Sequence, residues 1–268
     1  MPEEAVKPVK PPFNWSRYLK IDASICLLLG CGIGLVALLA PLGVWLGLWD
    51  FRLGFDLLRF VNAWADWVAV GALIIAAAIF IIGKLKSVDN VVQLSEMAAF
   101  GSFIAAMAWY IPESYRPAEG TPPIHDIATD PIRPLEYIAI APLRADAANS
   151  MEYGSGPNMN ARRLIQLQQQ AYPDIVPQRF DSSVEAVFNR AVAAIETLGW
   201  EIVDVDLLQG RIEATDTTFW FRFKDDIVIH ISLDGNDTVL NARSLSRVGI
   251  GDVGKNAARL REFFALLQ

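Results

Sequence analysis

The run Gly249-Ile250-Gly251-Asp252-Val253-Gly254 has the spacing G-x-G-x-x-G, which lets a backbone turn cradle a pyrophosphate at a helix start. It follows a predicted strand and opens a predicted helix. Dinucleotide binding also needs a second parallel strand after that helix, with an acid about twenty residues on. Fourteen residues follow Gly254, too few for the crossover, so the turn is read locally. Asp252 can cap the helix, and the glycines permit a tight bend. Arg243, Arg247, Lys255 and Arg259 surround the turn and form a basic spot on an acidic domain. Backbone N–H groups beside guanidinium groups suit a phosphate or a carboxylate. Arg243, Arg247, Gly249, Gly251, Asp252, Gly254, Lys255 and Arg259 are therefore the candidate binding residues, for a lipid headgroup or an acidic patch on a partner. The competing reading is structural: the arginines pair with Asp225, Asp226, Asp204 or Asp206 and brace a sheet.

Other chemistry finds fewer residues. The histidines are His125 and His230, in different predicted elements, whereas a zinc site needs three or four ligands close together. Ser244 or Ser246 with His230 and an acid could form a triad, yet no G-x-S-x-G elbow is present. Asp225-Asp226 is a possible acid pair, but adjacent acids in a short turn are normally solvated. Phe219, Trp220, Phe221 and Phe223 could line a lipid pocket or simply pack a sheet. Cys26 and Cys31 both lie in the first apolar stretch, so the remaining chain has no disulfide, cysteine-held metal or cysteine nucleophile. From Asp126 onward fourteen Arg and Lys face twenty Asp and Glu, about −6. Such a domain gains nothing from counterion release, which argues against nucleic acid. No cofactor and no metal are implied.

The elements that would position these residues are legible after residue 175. Asp181 is the expected cap of a helix running to Leu198. Val184, Val187, Phe188, Ala191, Ile195 and Leu198 form its apolar stripe, and Gly199 stops it. Four strands are expected at Trp200–Asp206, Arg211–Phe223, Asp226–Leu233 and Thr238–Ser244. Their turns fall at Gln209-Gly210, Lys224-Asp225-Asp226 and Asp234-Gly235-Asn236. Short turns make the strands an antiparallel meander. Ile227, Ile229, Ile231 and Leu233 share one face, with His230 on the other. A last helix spans about Val253 to Leu267. The fold class is α+β: a three-helix transmembrane anchor, then a soluble domain with a four-stranded antiparallel sheet packed against two helices. Residues 113–175 read as a proline-rich extended segment with a short helix at Arg162–Tyr172, and residues 176–268 as the soluble domain.

Several motifs of this half are shared with a known family. Arg243-Ser244-Leu245-Ser246-Arg247-Val248-Gly249, then Gly251-Asp252, Gly254, Asn256 and Arg259, resembles the C-terminal signature of the domain-of-unknown-function family 1499. Ile124-His125-Asp126-Ile127-Ala128-Thr129-Asp130, Tyr172-Pro173-Asp174, Gly199-Trp200, Glu213-Ala214-Thr215 and Phe223-Lys224-Asp225-Asp226 are further matching pieces. The resemblance covers roughly Pro122 to the end. It implies an extracytoplasmic or membrane-bound location and supplies no activity. His230 departs from the pattern, which has an arginine there; if that arginine binds something in the family, binding here would be lost or depend on pH.

Upstream, three stretches need a bilayer. Residues 23–42 are twenty without a charge, about 30 Å of helix, the thickness of a hydrocarbon core. Residues 61–82 and 91–111 are the second and third spans, and Asp50 to Phe60 suggests a short interfacial helix between the first two. Residues 1–20 form a tail. Lys7, Lys10, Arg17, Lys20, Lys84 and Lys86 fall on one side, against Arg52, Arg59 and Arg116 on the other. The excess places the N-terminus in the cytoplasm and the C-terminal domain outside, in the periplasm for a Gram-negative inner membrane. Gly30, Gly34, Gly43 and Gly47 are small-residue contacts, either between chains or among the three spans. The leading expectation is an interaction or accessory subunit beside the membrane, with membrane lipids and a membrane protein or complex as partners. A module binding a lipid or anionic small ligand comes second, and a serine- or aspartate-dependent hydrolase last.

Overall fold

A computed structural model describes residues 13–156 and 158–268. Lys7 and Lys10 lie outside the described residues. The chain divides into two compact units, the second being Arg116–Gln268.

The first unit has three helices: α1 (Trp15–Trp45), α2 (Phe51–Leu85) and α3 (Val91–Glu113). Each is long and apolar enough to cross a membrane. The residues expected to form an interfacial helix are instead the first turns of α2, which Asp50 caps by accepting the Arg52 N–H at 2.8 Å. Nothing between Asp50 and Phe60 breaks a helix, so it continues into the span. At 35 residues α2 is about 52 Å long, well beyond the roughly 30 Å of a hydrocarbon core.

Small residues line the inside of this unit: Ala23, Ala65, Ala69, Ala72, Ala76, Ala98, Ala105 and Ala108 are buried, while Leu28, Leu38, Ile74 and Phe103 face outward. Helix backbones therefore come close. A Cβ on Gly30 would overlap the carbonyl of Gly101, and one on Gly34 would overlap the Ile104 side chain. Gly43 seats the Trp49 ring, and Gly47 turns the chain after α1 with φ +66°. Gly30, Gly34 and Gly43 thus meet residues of their own chain. Ser102 and Ser95 on α3 donate to the Ala69 and Ala76 carbonyls of α2, at 2.6 and 3.0 Å.

The second unit holds an antiparallel sheet with a few helices. Its strands are β1 (Asp126–Ala128), β2 (Gln178–Phe180), β3 (Glu201–Asp206), β4 (Arg211–Thr217), β5 (Lys224–Asp234) and β6 (Asp237–Ser246). The order is β1-β6-β5-β4-β3, and β2 pairs with the other half of β6. The helices are α4 (Ala161–Ala171), α5 (Val184–Leu198) and α6 (Lys255–Ala265). Ser183, rather than Asp181, caps α5 by accepting the Ala186 N–H, and Gly199 ends it with φ +71°.

Alternation decides what each face buries. Ile212, Ile227, Ile229, Ile231 and Leu240 join Val187, Phe188, Ile195, Leu260 and Phe263 in the main core against α5 and α6. Val228 and Leu245 point the other way and pack with Tyr137 and Ile140. The proline-rich segment thus covers the second face and also supplies β1; with β2, just beyond that segment, the sheet has six strands where four were expected. The aromatic run leaves the sheet: β4 stops at Thr217, and Thr217 faces Lys224 across the β4–β5 register. Lys224-Asp225-Asp226, expected as a turn, begins β5 instead. Both aspartates have arginine partners, so they can enter a strand buried on both faces.

Candidate functional site

Adjacent residues of a strand point to opposite faces, and Asp225 and Asp226 use this to anchor two separate networks. Asp226 lies under the segment that covers the second face. It is fully buried and meets Arg144, the Arg247 guanidinium at 2.8 and 2.9 Å, and the Thr215 hydroxyl at 2.7 Å. Beside it Arg243 forms a forked pair with Asp126 at 2.8 and 2.9 Å. Its remaining donors reach the Leu135 and Met151 carbonyls, both at 2.7 Å. Its guanidinium lies over the rings of Tyr137 and Tyr153, at 5.2 and 5.4 Å from the centroids. Burial would lower the Arg243 pKa, but Asp126 outweighs it and holds the group above its usual value. Burial pushes the Tyr137 hydroxyl well up, so it stays a neutral donor, to the Asp226 carbonyl at 3.0 Å.

Asp225 points to the helix side. Its carboxylate pairs with Arg259 of α6 at 2.5 Å, and Asp216 takes the same guanidinium at 2.8 Å. Arg259 also donates to Asn256 Oδ1, at 2.5 Å, and Asn256 in turn accepts from the Ser244 hydroxyl at 2.6 Å. Asn256 Nδ2 donates to Ser246 Oγ and to the His125 carbonyl, both at 2.9 Å. This tie fixes the start of α6 to β6 and to the incoming chain.

The glycine run is shaped by that chain. A Cβ on Gly251 would stand 3.1 Å from the Pro123 backbone, and the Asp252 N–H donates to the Ile124 carbonyl at 3.0 Å. Gly249 and Gly254 take φ values of +99° and +83°. Asp252 Oδ1 accepts from the Gly254 N–H and Oδ2 from the Asn256 N–H, both at 2.8 Å. The helix start therefore already holds an anion, the carboxylate of Asp252. Burial raises the Asp252 pKa, the two backbone N–H groups oppose that, and nearby Asp225 adds to it.

Of the candidate binding residues, Arg243, Asp252 and Arg259 are buried, Arg247 is mostly covered, and Lys255 is exposed. The three guanidinium groups pair with internal carboxylates, Asp225 and Asp226 among them. Asp204 and Asp206 lie on β3 and hold none of these guanidinium groups. The triad residues do not assemble. Ser244 faces α6, while His230 pairs in register with Arg211 on the opposite face. His125 Nδ1 is 3.0 Å from the Ile250 carbonyl. Among the described residues, no three His, Cys, Asp or Glu side chains gather as a metal site.

Residues 126–267 match the family described as "Protein of unknown function (DUF1499)". The chain belongs to the DUF1499 family. No curated protein matches it. The DUF1499 match begins at Asp126, the carboxylate that fixes Arg243, and it includes Asp216, Asp225, Asp226, Asn256 and Arg259. Sequence reasoning passed over Arg144, Asp216 and the tyrosines. Asp126 and Asn256 stood inside the shared motifs without a role. Arg144 carries no local signal, because its partner Asp226 is 82 residues away.

Proposed function

We propose that this DUF1499 protein is a membrane-anchored accessory subunit whose soluble unit binds another protein outside the cytoplasm. The observation that supports this most is the open edge of the sheet. Among the described residues β3 pairs with β4 alone, so one row of its backbone groups faces no strand. Such an edge can accept a strand from another chain. The β3–β4 hairpin carries Val205, Leu207 and Leu208, and Leu208 is 95% exposed. Leu233 is exposed at the same end of the sheet. Glu201, Asp204 and Asp206 line the edge strand, so a complementary strand would carry Lys or Arg.

The anionic-ligand reading is weaker on the same geometry, because the guanidinium groups it needs are held by Asp126, Asp216, Asp225 and Asp226. The hydrolase reading is weaker too, because Ser244 and Ser246 meet Asn256 rather than a histidine. The extracytoplasmic side rests on the excess of Lys and Arg in the tail and the α2–α3 loop over the α1–α2 loop. Protease added to intact spheroplasts should cleave the soluble unit if that side is right.

The test is gentle detergent extraction followed by mass spectrometry, with Leu208→Asp beside the unaltered chain. The expected result is a co-purifying membrane protein that Leu208→Asp removes while expression and folding stay unchanged. An identical set of proteins from both chains would overturn the assignment of this edge.

A further inference from the structure

The two ends of the membrane unit hold their cations differently. Where α2 starts, Arg52 pairs with Asp50 at 3.4 Å and Arg59 pairs with Asp56. At the other end, where α1 starts and α2 finishes, Lys86 stands over the Trp15 ring and Lys84 over the Phe80 ring, each 5.6 Å from the centroid. Arg17 and Lys20 remain. Both are exposed, and among the described residues neither side chain has an ion-pair partner.

The positions 17, 20, 21, 24, 25 and 28 recur at three and four, so they form one stripe of α1. Ile21, Ile25 and Leu28 are exposed along it. Arg17, Lys20, Ile21, Ser24 and Ile25 line an open groove of about 310 Å³. The Ser24 hydroxyl turns back to the Lys20 carbonyl at 2.8 Å, which leaves the groove apolar below its two cations. The carboxylate of this segment, Asp22, is five residues past Arg17, about 140° round the helix and off the stripe. Lys20 and Arg17 stand roughly 4.5 and 9 Å beyond Ala23, the first residue of the uncharged run. That is headgroup depth, with Ile25 and Leu28 already in hydrocarbon. A guanidinium grips a phosphate with two parallel N–H bonds, and an ammonium beside it adds a second positive charge. A zwitterionic headgroup brings its own cation, which two unpaired cations repel, so the pair favours a headgroup of net negative charge.

We infer that this stripe is the binding site of one anionic phospholipid. Its phosphate lies between Arg17 and Lys20, and an acyl chain runs along Ile21, Ile25 and Leu28. The ligand is lipid rather than free phosphate because the stripe continues into the hydrocarbon, where only a chain can cover it. The site is separate from the protein-binding edge at β3, and neither depends on the other.

The experiment titrates the delipidated full chain in detergent with phosphatidylglycerol, or with phosphatidylcholine of the same chains, and reads the bound lipid by native mass spectrometry. The expected result is a first phosphatidylglycerol retained severalfold more than phosphatidylcholine. Arg17→Gln with Lys20→Gln should abolish that preference. Arg52→Gln with Arg59→Gln removes the same charge at the other end and should keep it. An unchanged preference in the first pair would overturn the site. So would an equal loss in both pairs, since net charge alone would then attract the lipid. Should the first pair fail to insert, Arg17→Gln alone decides by the same ratio. Ile25→Trp fills the groove and should weaken phosphatidylglycerol retention, and excess inorganic phosphate should not displace the lipid. Displacement by inorganic phosphate would overturn the role of the chain. A changed oligomeric mass in Ile25→Trp, with lipid retention intact, would give the stripe to a second copy of the protein and overturn the lipid assignment.

Discussion

The membrane unit and the soluble unit bury opposite kinds of residue. Inside α1, α2 and α3 the buried positions are mostly Ala and Gly, and the large aliphatic side chains face out. Inside the soluble unit the buried positions are Ile, Leu and Phe, together with four arginine–carboxylate pairs centred on Asp126, Asp225 and Asp226. The solvent explains both. Lipid is as apolar as leucine, so burying leucine gains nothing and close backbone approach decides the packing. Water drives the large side chains of the soluble unit inward. A charge carried in with them must bring a partner, because an unpaired ion in the interior costs several kcal/mol.

The largest test of that contrast is Asp226→Ala. It would leave Arg144 and Arg247 without their shared carboxylate inside a covered face. A broken buried pair costs about 3–5 kcal/mol, and here two guanidinium groups are orphaned at once. The soluble unit should unfold far earlier in a thermal melt, while the apparent stability of α1–α3 stays unchanged. Asp174→Ala is the control. Its partner Arg261 holds it at a half-exposed position, with 45% and 51% of the two side chains accessible, and the loss should stay within about 1 kcal/mol. Equal losses for the two variants would mean that Asp226 is not a brace.

In the membrane unit the matching test is steric. Gly30→Leu places a side chain where the Gly101 carbonyl lies, so α1 and α3 must part. Overpacking typically costs about 1–3 kcal/mol. The midpoint of denaturation in mixed detergent micelles should fall accordingly. Gly32→Leu, two residues away with open space around it, should leave the midpoint unchanged. If Gly32→Leu did the damage and Gly30→Leu none, the small-residue face would serve another chain rather than α3.

The same physics separates what could be read from the sequence from what could not. The spans were legible because an uncharged run has no soluble alternative. β5 was legible because Ile227, Ile229 and Ile231 keep period two against the main core. α5 announced itself by its stripe and by Gly199. Asp225-Asp226 was misplaced as a turn because adjacent acids look solvated, although their pairing with nearby arginines was one of the two readings of the basic spot. Those partners come from Arg144, Arg247 and Arg259, through the pairing of distant strands and a covering segment. β1 and β2 are three residues each, too short for any alternation to show. The literal G-x-G-x-x-G pattern pointed to a ligand. Its glycines serve the approach of Pro123 and the turn into α6, and Asp252 already occupies the anion position.

The smallest effect sharpens the comparison by pH, because both histidines lie in the soluble unit. Burial, and then the nearby Arg211, hold the His230 pKa below its usual 6.5. A depressed histidine favours the neutral form, so its contribution is complete above 6.5 and is lost as pH falls through the folded value. The soluble unit should therefore lose stability on acidification below 6.5, and His230→Gln should lose less over the same range. The half-buried position screens the charge and keeps the difference below roughly 1 kcal/mol. Asp252, raised by burial, acts in the opposite sense at lower pH, since a raised carboxyl binds its proton better in the folded chain. Both chains carry Asp252, so its share cancels in their difference. Thermal melts of the full chain in detergent from pH 7.5 to 5, with and without His230→Gln, measure that difference directly. Parallel curves would show that His230 senses neither burial nor Arg211, and the pH response would then belong to the carboxylates alone.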